Sequence, residues 1–247
     1  MRNVSIIHTI LLALILSACH ITVNDFQISP GSGRVISETR EVQNFDKVTI
    51  SGVGEVFIQQ GNQESIRIEA EDNVLDIITT QVTDGTLYIG FKDKGWNRFV
   101  LPYKTPKFYL KVKNLRAIEV NGALRVEVEP LKTDSLGLQT DGAAEIIFQN
   151  LQAQSLQTTL NGGGFQCISG GKVSEQDVVV NGVGRYEAGD LQSDSATVKL
   201  RGAGEVLIRA QNTLNATLDG AGAIRYYGAP SGERTINGVG TISKIAQ

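Results

Sequence analysis

Among the residues able to do chemistry, the carboxylates Glu145 and Glu205 come first, because an arginine sits 20 residues before each, at Arg125 and Arg185. In a stack of coils that spacing sets opposite charges on adjacent rungs, a pairing that supports register at roughly 0.2–1 kcal/mol each. General acid–base work on a glycan is the sharper use of the same glutamates. Asp141 and Asp219 invite a calcium reading, but at one strand spacing per coil they lie about 19 Å apart, and no Asp cluster or GGxGxD run accompanies them. The only histidines, His8 and His20, lie ahead of the folded body, which therefore lacks the means for Ser-His-Asp, Cys-His or zinc chemistry. Cys167 is read as an unpaired structural thiol, and neither metal nor cofactor is expected. Trp96, Phe99, Tyr103, Tyr226 and Tyr227 suit carbohydrate stacking or a protein partner, yet solenoid ends also need covering, and capping is the favoured reading.

The N-terminus reads as an address. Arg2 is followed by an apolar run from Ile6 to Leu16, broken only by His8 and Thr9, and then by Ser17 and Ala18. This is an export signal over 1–18, too short to span a bilayer. Leu16-Ser17-Ala18-Cys19 resembles a bacterial lipobox, which implies cleavage before Cys19 and lipidation of its thiol, hence anchoring to a membrane. His20 in the second mature position, rather than aspartate, favours the outer membrane by analogy. Residues 19–40, with Pro30, Gly31, Ser32 and Gly33, read as a flexible tether, leaving 41–247 as the folded domain.

What must position these groups is an internal repeat. A polar residue, a glycine and a small residue recur with first glycines at Gly52, Gly122, Gly142, Gly162, Gly182, Gly202, Gly220 and Gly238, at a period of 20 from Gly122 to Gly202 and 18 thereafter. Glycine permits a tight corner, and the Asn or Asp that usually precedes it tolerates such turns. Columns drawn at that period behave like strand faces. Val126, Ile146, Gln166, Tyr186 and Val206 face inward, as do Val128, Phe148, Ile168, Ala188 and Ile208, while Glu127, Ile147, Cys167, Glu187 and Leu207 between them face out. Leu131, Leu151 and Leu191 mark a turn between the halves of each coil. The predicted fold is all-β: a right-handed parallel β-helix of about 18–20 residues per coil. Coils are regular over 116–247 and irregular over 41–115, where Asn73 to Val82 reads as a helical turn and Lys92 to Pro106 as a loop. Helical and leucine-rich repeats do not match this period, nor do single-coil propeller blades.

Composition agrees. Glycine numbers 27, aromatics are 6%, 41% of residues are hydrophobic and 20% charged, which suits many turns and thin strands. Net charge is −3, or −4 once Arg2 leaves (−3 − 1), with basic residues scattered, so nucleic acid is not an expected partner.

With the repeats laid out, the body resembles the auto-transporter adhesin head domain family, also called the head GIN domain family. The matching pieces are Arg40 to Val48, Gly54 to Gly61, Asp84 to Ile89, the serial Gly-Ala-Gly and Gly-Val-Gly corners, and the closing Tyr227-Gly228-Ala229-Pro230. Leu124 and Ala144 depart from the pattern, where a second glycine is missing. The resemblance implies a right-handed β-helix, often exported or lipid-anchored, with no catalytic residues to carry over; "adhesin" is a name by analogy. The expected role is a non-catalytic cell-envelope module, binding or structural, with a protein or glycan ligand. The alternatives are a polysaccharide-active enzyme and an envelope accessory or sensor protein with a small ligand or protein partner.

Overall fold

The computed structural model describes residues 27–92 and 98–246. The expected signal over 1–18, Cys19, His20 and Trp96 lie outside the described residues, as does the side chain of Phe99. The N-terminal elements are β1 (Gln27–Pro30), β2 (Val35–Arg40), β3 (Lys47–Gln60), β4 (Ser65–Glu71), α1 (Asp72–Leu75), β5 (Ile78–Thr83), β6 (Thr86–Phe91), β7 (Arg98–Leu101), β8 (Lys107–Val112) and β9 (Ala117–Val128). Two compact units result. In the smaller, β1 and β7 form a two-stranded parallel sheet. The larger, from Gly31 to Lys92 and from Pro102 onward, is a β-solenoid.

Alternation around each corner glycine generates the coils. In β9, Ile118, Val120, Val126 and Val128 are at most 1% exposed, while Glu119, Asn121, Arg125 and Glu127 point outward. The next coils repeat this in parallel register, Gly142 on Gly162, Gly162 on Gly182 and Gly182 on Gly202. The glycines thus form one stacked column, and the aliphatic columns fill a continuous interior. Each coil has a long strand before the corner and a short one after it. Leu131 and Leu151, expected at a turn, instead begin a third short side, pairing as Leu131–Lys132 on Leu151–Gln152. Where the period falls to 18, Leu191 to Ser193 has no strand partner in the next coil, which loses this third side, although the Gln211 N–H still donates to the Ser193 carbonyl (3.0 Å).

The corner demands glycine because backbone lies on backbone. Gly162 has φ +98°, and a Cβ there would sit 2.7 Å from the Gly142 carbonyl oxygen. At Gly238 the backbone is not left-handed, but a Cβ would meet the Gly220 oxygen at 2.0 Å. The preceding polar residues form a ladder: the Asn181 amide donates to Asn161 (2.9 Å) and the Asn161 amide to Asp141 (2.8 Å). The missing second glycines do not break the corner, since Leu124 and Ala144 turn inward and are 3% and 1% exposed.

The irregular N-terminal coils are a mixed cap. β3 stacks on β9 residue for residue at a separation of 70, Gly52 on Gly122, so residues 61–116 are an excursion from the regular stack. On the far side of β3, β6 and β8 add one more parallel layer. The sheet then turns antiparallel, with β5 on β6, β4 on β8 and β2 on β4. Three expectations change here. Val35–Arg40, assigned to the tether, is built into the sheet. The helical turn covers only Asp72–Leu75, because Ile78–Thr83 pairs as a strand. Within the expected loop, Arg98–Leu101 is a strand.

A buried carboxylate fastens this cap. Glu71, 0% exposed, accepts hydrogen bonds from the backbone N–H groups of Gly33 (2.6 Å), Tyr103 (2.8 Å) and Lys104 (3.3 Å). The solenoid interior also holds polar groups paired with one another: Gln166 donates to Thr140 (2.8 Å) and accepts from Thr158, and the Tyr186 hydroxyl donates to Gln176 (2.7 Å). Burial pushes the Tyr186 phenol far above its usual range, so it stays protonated.

Candidate functional site

The outward face of the solenoid carries a row that begins in the cap and continues down the coils: Thr39, Arg67, Tyr109, Phe57, Glu127, Ile147. Because strand neighbours lie about 4.8 Å apart, planar groups in such a row can stack. Here they do. The Phe57 and Tyr109 rings lie 5.2 Å apart at an interplanar angle of 18°, and the Arg67 guanidinium covers the other face of Tyr109 at 3.9 Å. Glu69 locks the pile from the side, pairing with Arg67 and accepting the Tyr109 hydroxyl at 3.1 Å. Tyr109 thus has both faces covered. Phe57 has one on Tyr109 and the other toward the position of Glu127, its register partner on the next strand.

Two residues along runs a parallel row, Ser65, Lys111 and Gln59 in register and then Glu129 and Gln149 just past their strand ends, all pointing outward. Between the rows lies a groove of about 530 Å³ crossing β4, β8, β3 and β9. Its far wall is polar and partly fixed, the Gln59 amide donating to Glu129 at 2.8 Å. The Glu127 carboxylate, which also lines the groove, is held by Arg125 at 2.8 Å.

The residues nominated from sequence fall elsewhere on the same face. Arg125 pairs with both Glu127 and Glu145, and that proximity holds its guanidinium above its usual range. Glu205 sits between Arg185 and Arg225, each at 3.4 Å. The expected ladder pairs therefore form, and both glutamates proposed as acid or base are bridged by arginine. Asp141 and Asp219 accept from Asn161 and Asn237, each at 2.8 Å. Among the described residues no group of three or more His, Cys, Asp or Glu is placed to hold a metal ion. Cys167 is free and half-buried, with Ser169 at 3.8 Å. Tyr226 extends the inward column beyond Ile208 with Arg234 over its ring at 4.9 Å, and Arg209 covers Tyr227 at 4.7 Å; Val239–Lys244 pairs one rung further on, so these rings lie in the penultimate rung and not over the end of the stack. Tyr103 is 70% exposed and covers no end of the stack. Sequence reasoning missed Phe57, Tyr109 and Arg67 as a group. A visible signal was the apolar ring at an outward position of both Val56-Phe57-Ile58 and Phe108-Tyr109-Leu110.

Solved structures share this architecture. A "putative adhesin (BF0245) from Bacteroides fragilis NCTC 9343" matches at a TM-score of 0.82 with 26% identity, covering 88% of this chain and 100% of that one. A "Putative lipid binding protein from Parabacteroides distasonis ATCC 8503" has a TM-score of 0.72 and 22% identity, covering 89% and 100%. A "putative adhesin" from the same Parabacteroides strain has a TM-score of 0.69 and 21% identity, with the same coverage. No curated protein matches the chain. The family model described as "Putative auto-transporter adhesin, head GIN domain" matches residues 44–230, from the strand that enters the stack to the coil that nearly ends it. The stacked corners, the register across the 61–116 excursion and this match agree, and the chain belongs to the auto-transporter adhesin head GIN domain family.

Proposed function

We propose that this protein is a non-catalytic binding module of the bacterial cell envelope, held there by lipid on Cys19 and presenting the solenoid face as its contact surface. The observation that carries the reading is the state of the outward carboxylates. Glu145 and Glu205 are each neutralised by arginine on an open face. A glycosidase instead needs one carboxylic acid kept protonated across the scissile bond from a second carboxylate. The membership in a family named for adhesins supports a location at the envelope, and the Leu16-Ser17-Ala18-Cys19 run supports anchoring, with His20 favouring the outer membrane. One solved neighbour is named a lipid-binding protein; the groove here sets Phe57, Ile58, Tyr109 and Leu110 beside Gln, Glu and Lys, a mixed lining that the apolar ring faces and hydroxyl groups of a glycan both match.

Two measurements test it. Radiolabelled palmitate should enter the full chain and the protein should sediment with membranes, whereas Cys19→Ser should lose both; an unlabelled wild type defeats the anchoring. Immobilised full chain should retain purified envelope polysaccharide or envelope protein, and recovery of neither would defeat the binding role.

A further inference from the structure

We infer that the slot in front of Phe57 is a subsite for one pyranose ring of a neutral glycan; this rests on the binding-module reading. The pile Arg67, Tyr109, Phe57 is a stack of planar groups ended by one apolar ring face. A sugar ring presents an apolar face of C–H groups and is the natural next layer. The stack is pre-organised, because Glu69 already fixes Arg67 and the Tyr109 hydroxyl, so little side-chain freedom is lost on binding.

The opposite wall sets the chemistry of the rest of the ligand. Gln59, Glu129, Gln149 and Lys111 supply both donors and acceptors, which hydroxyl groups can answer in either sense. Charge balances: Arg67 is spent on Glu69 and Glu127 on Arg125, leaving Lys111 against Glu129. Neither an anionic nor a cationic polymer gains from such a groove. A peptide gains little either, because every strand beneath is paired on both edges, β4 with β2 and β8, β8 with β4 and β3, and β3 with β8 and β9. No backbone edge is free to add a strand, so recognition must come from side chains.

The test uses full chain solubilised in detergent, titrated in parallel with three neutral probes, cellopentaose, xylopentaose and mannopentaose, and with penta-galacturonic acid and an uncharged Ser-Thr decapeptide. The readouts are calorimetry and the ring-proton NMR shifts of Phe57 and Tyr109. At least one neutral pentasaccharide should bind saturably and shift the Phe57 ring. Phe57→Ala should weaken it about tenfold, and Gln149→Arg, on an exposed position that leaves the core untouched, should abolish it. Circular dichroism must show both variants folded, and Gln149→Arg decides alone if Phe57→Ala is not. Binding only of the uronate or the peptide, binding indifferent to Gln149→Arg, or no binding at all overturns the assignment. The polysaccharide and protein retention assay above decides the broader role separately, since it can succeed when every neutral probe fails.

Discussion

Replacing Gly162 by alanine adds one methyl group at a corner where backbone lies directly on backbone. The backbone there has φ +98°, which costs an L side chain about 1–2 kcal/mol. The new Cβ would also lie 2.7 Å from the Gly142 carbonyl oxygen and 3.3 Å from its nitrogen. Backbone must move to relieve that overlap. Two hydrogen bonds cross this point, from the Gly163 N–H to Gly142 (3.0 Å) and from the Val183 N–H to Gly162 (2.9 Å), each worth about 1 kcal/mol net. Losing one brings the total to about 2–3 kcal/mol, a fall in melting midpoint of about 5–10 °C for a chain of this size. Gly163→Ala is the control built into the fold. Its Cβ would meet nothing within 4 Å, and its backbone is not left-handed, so a change within about 0.5 kcal/mol is expected. Thermal unfolding followed by circular dichroism reads both variants. Equal midpoints for Gly162→Ala and Gly163→Ala would refute the claim that corner backbones stack directly.

Other perturbations probe the cap, the interior and the face. Glu71→Ala leaves three backbone donors without their acceptor, costing about 2–3 kcal/mol locally, and hydrogen exchange at Gly33 and Tyr103 should accelerate while the regular coils stay protected. The hydrogen bonds from Ser32, Arg34 and the Asn73 backbone hold the Asp72 carboxyl down at about 2 from its ordinary 3.8. The folded value is depressed, so its contribution is present above pH 3.8 and is lost as pH falls through about 2. Acid unfolding of Asp72→Asn should lack that component, and an unchanged acid profile would contradict it. In the interior, Gln166→Leu alone should cost about 1–3 kcal/mol by stranding Thr140 and Thr158. Adding Thr140→Val and Thr158→Val should restore most of it, which urea unfolding can measure. On the exposed face, Glu145→Ala should change stability by less than about 1 kcal/mol.

The regular coils were legible because their period repeats without interruption, so each column could be read as a face. Val126 through Val206 face inward as read, and the Arg125–Glu145 and Arg185–Glu205 pairs form where a spacing of 20 places them. The third side of the 20-residue coils was not legible because it is only two or three residues long, too short for alternation to register. The cap was hidden for a different reason. Once the chain leaves the stack at Gln60 and returns at Ala117, sequence distance no longer reports spatial order, and antiparallel strands carry no repeat. The candidate site lies at this junction. Phe57 and Tyr109 are register partners only because β8 adds to the far side of β3, a pairing that neither strand's own pattern specifies.

The most direct measurement of the central claim, that this solenoid binds rather than transforms its ligand, is equilibrium binding of envelope polysaccharide to the full chain, with the bound material eluted and sized by mass spectrometry. The prediction is saturable binding, weakened by Gln149→Arg, with the polymer recovered at its original length after prolonged incubation. Shortened or unsaturated products that accumulate with time, and vanish in Glu145→Ala or Glu205→Ala, would contradict it.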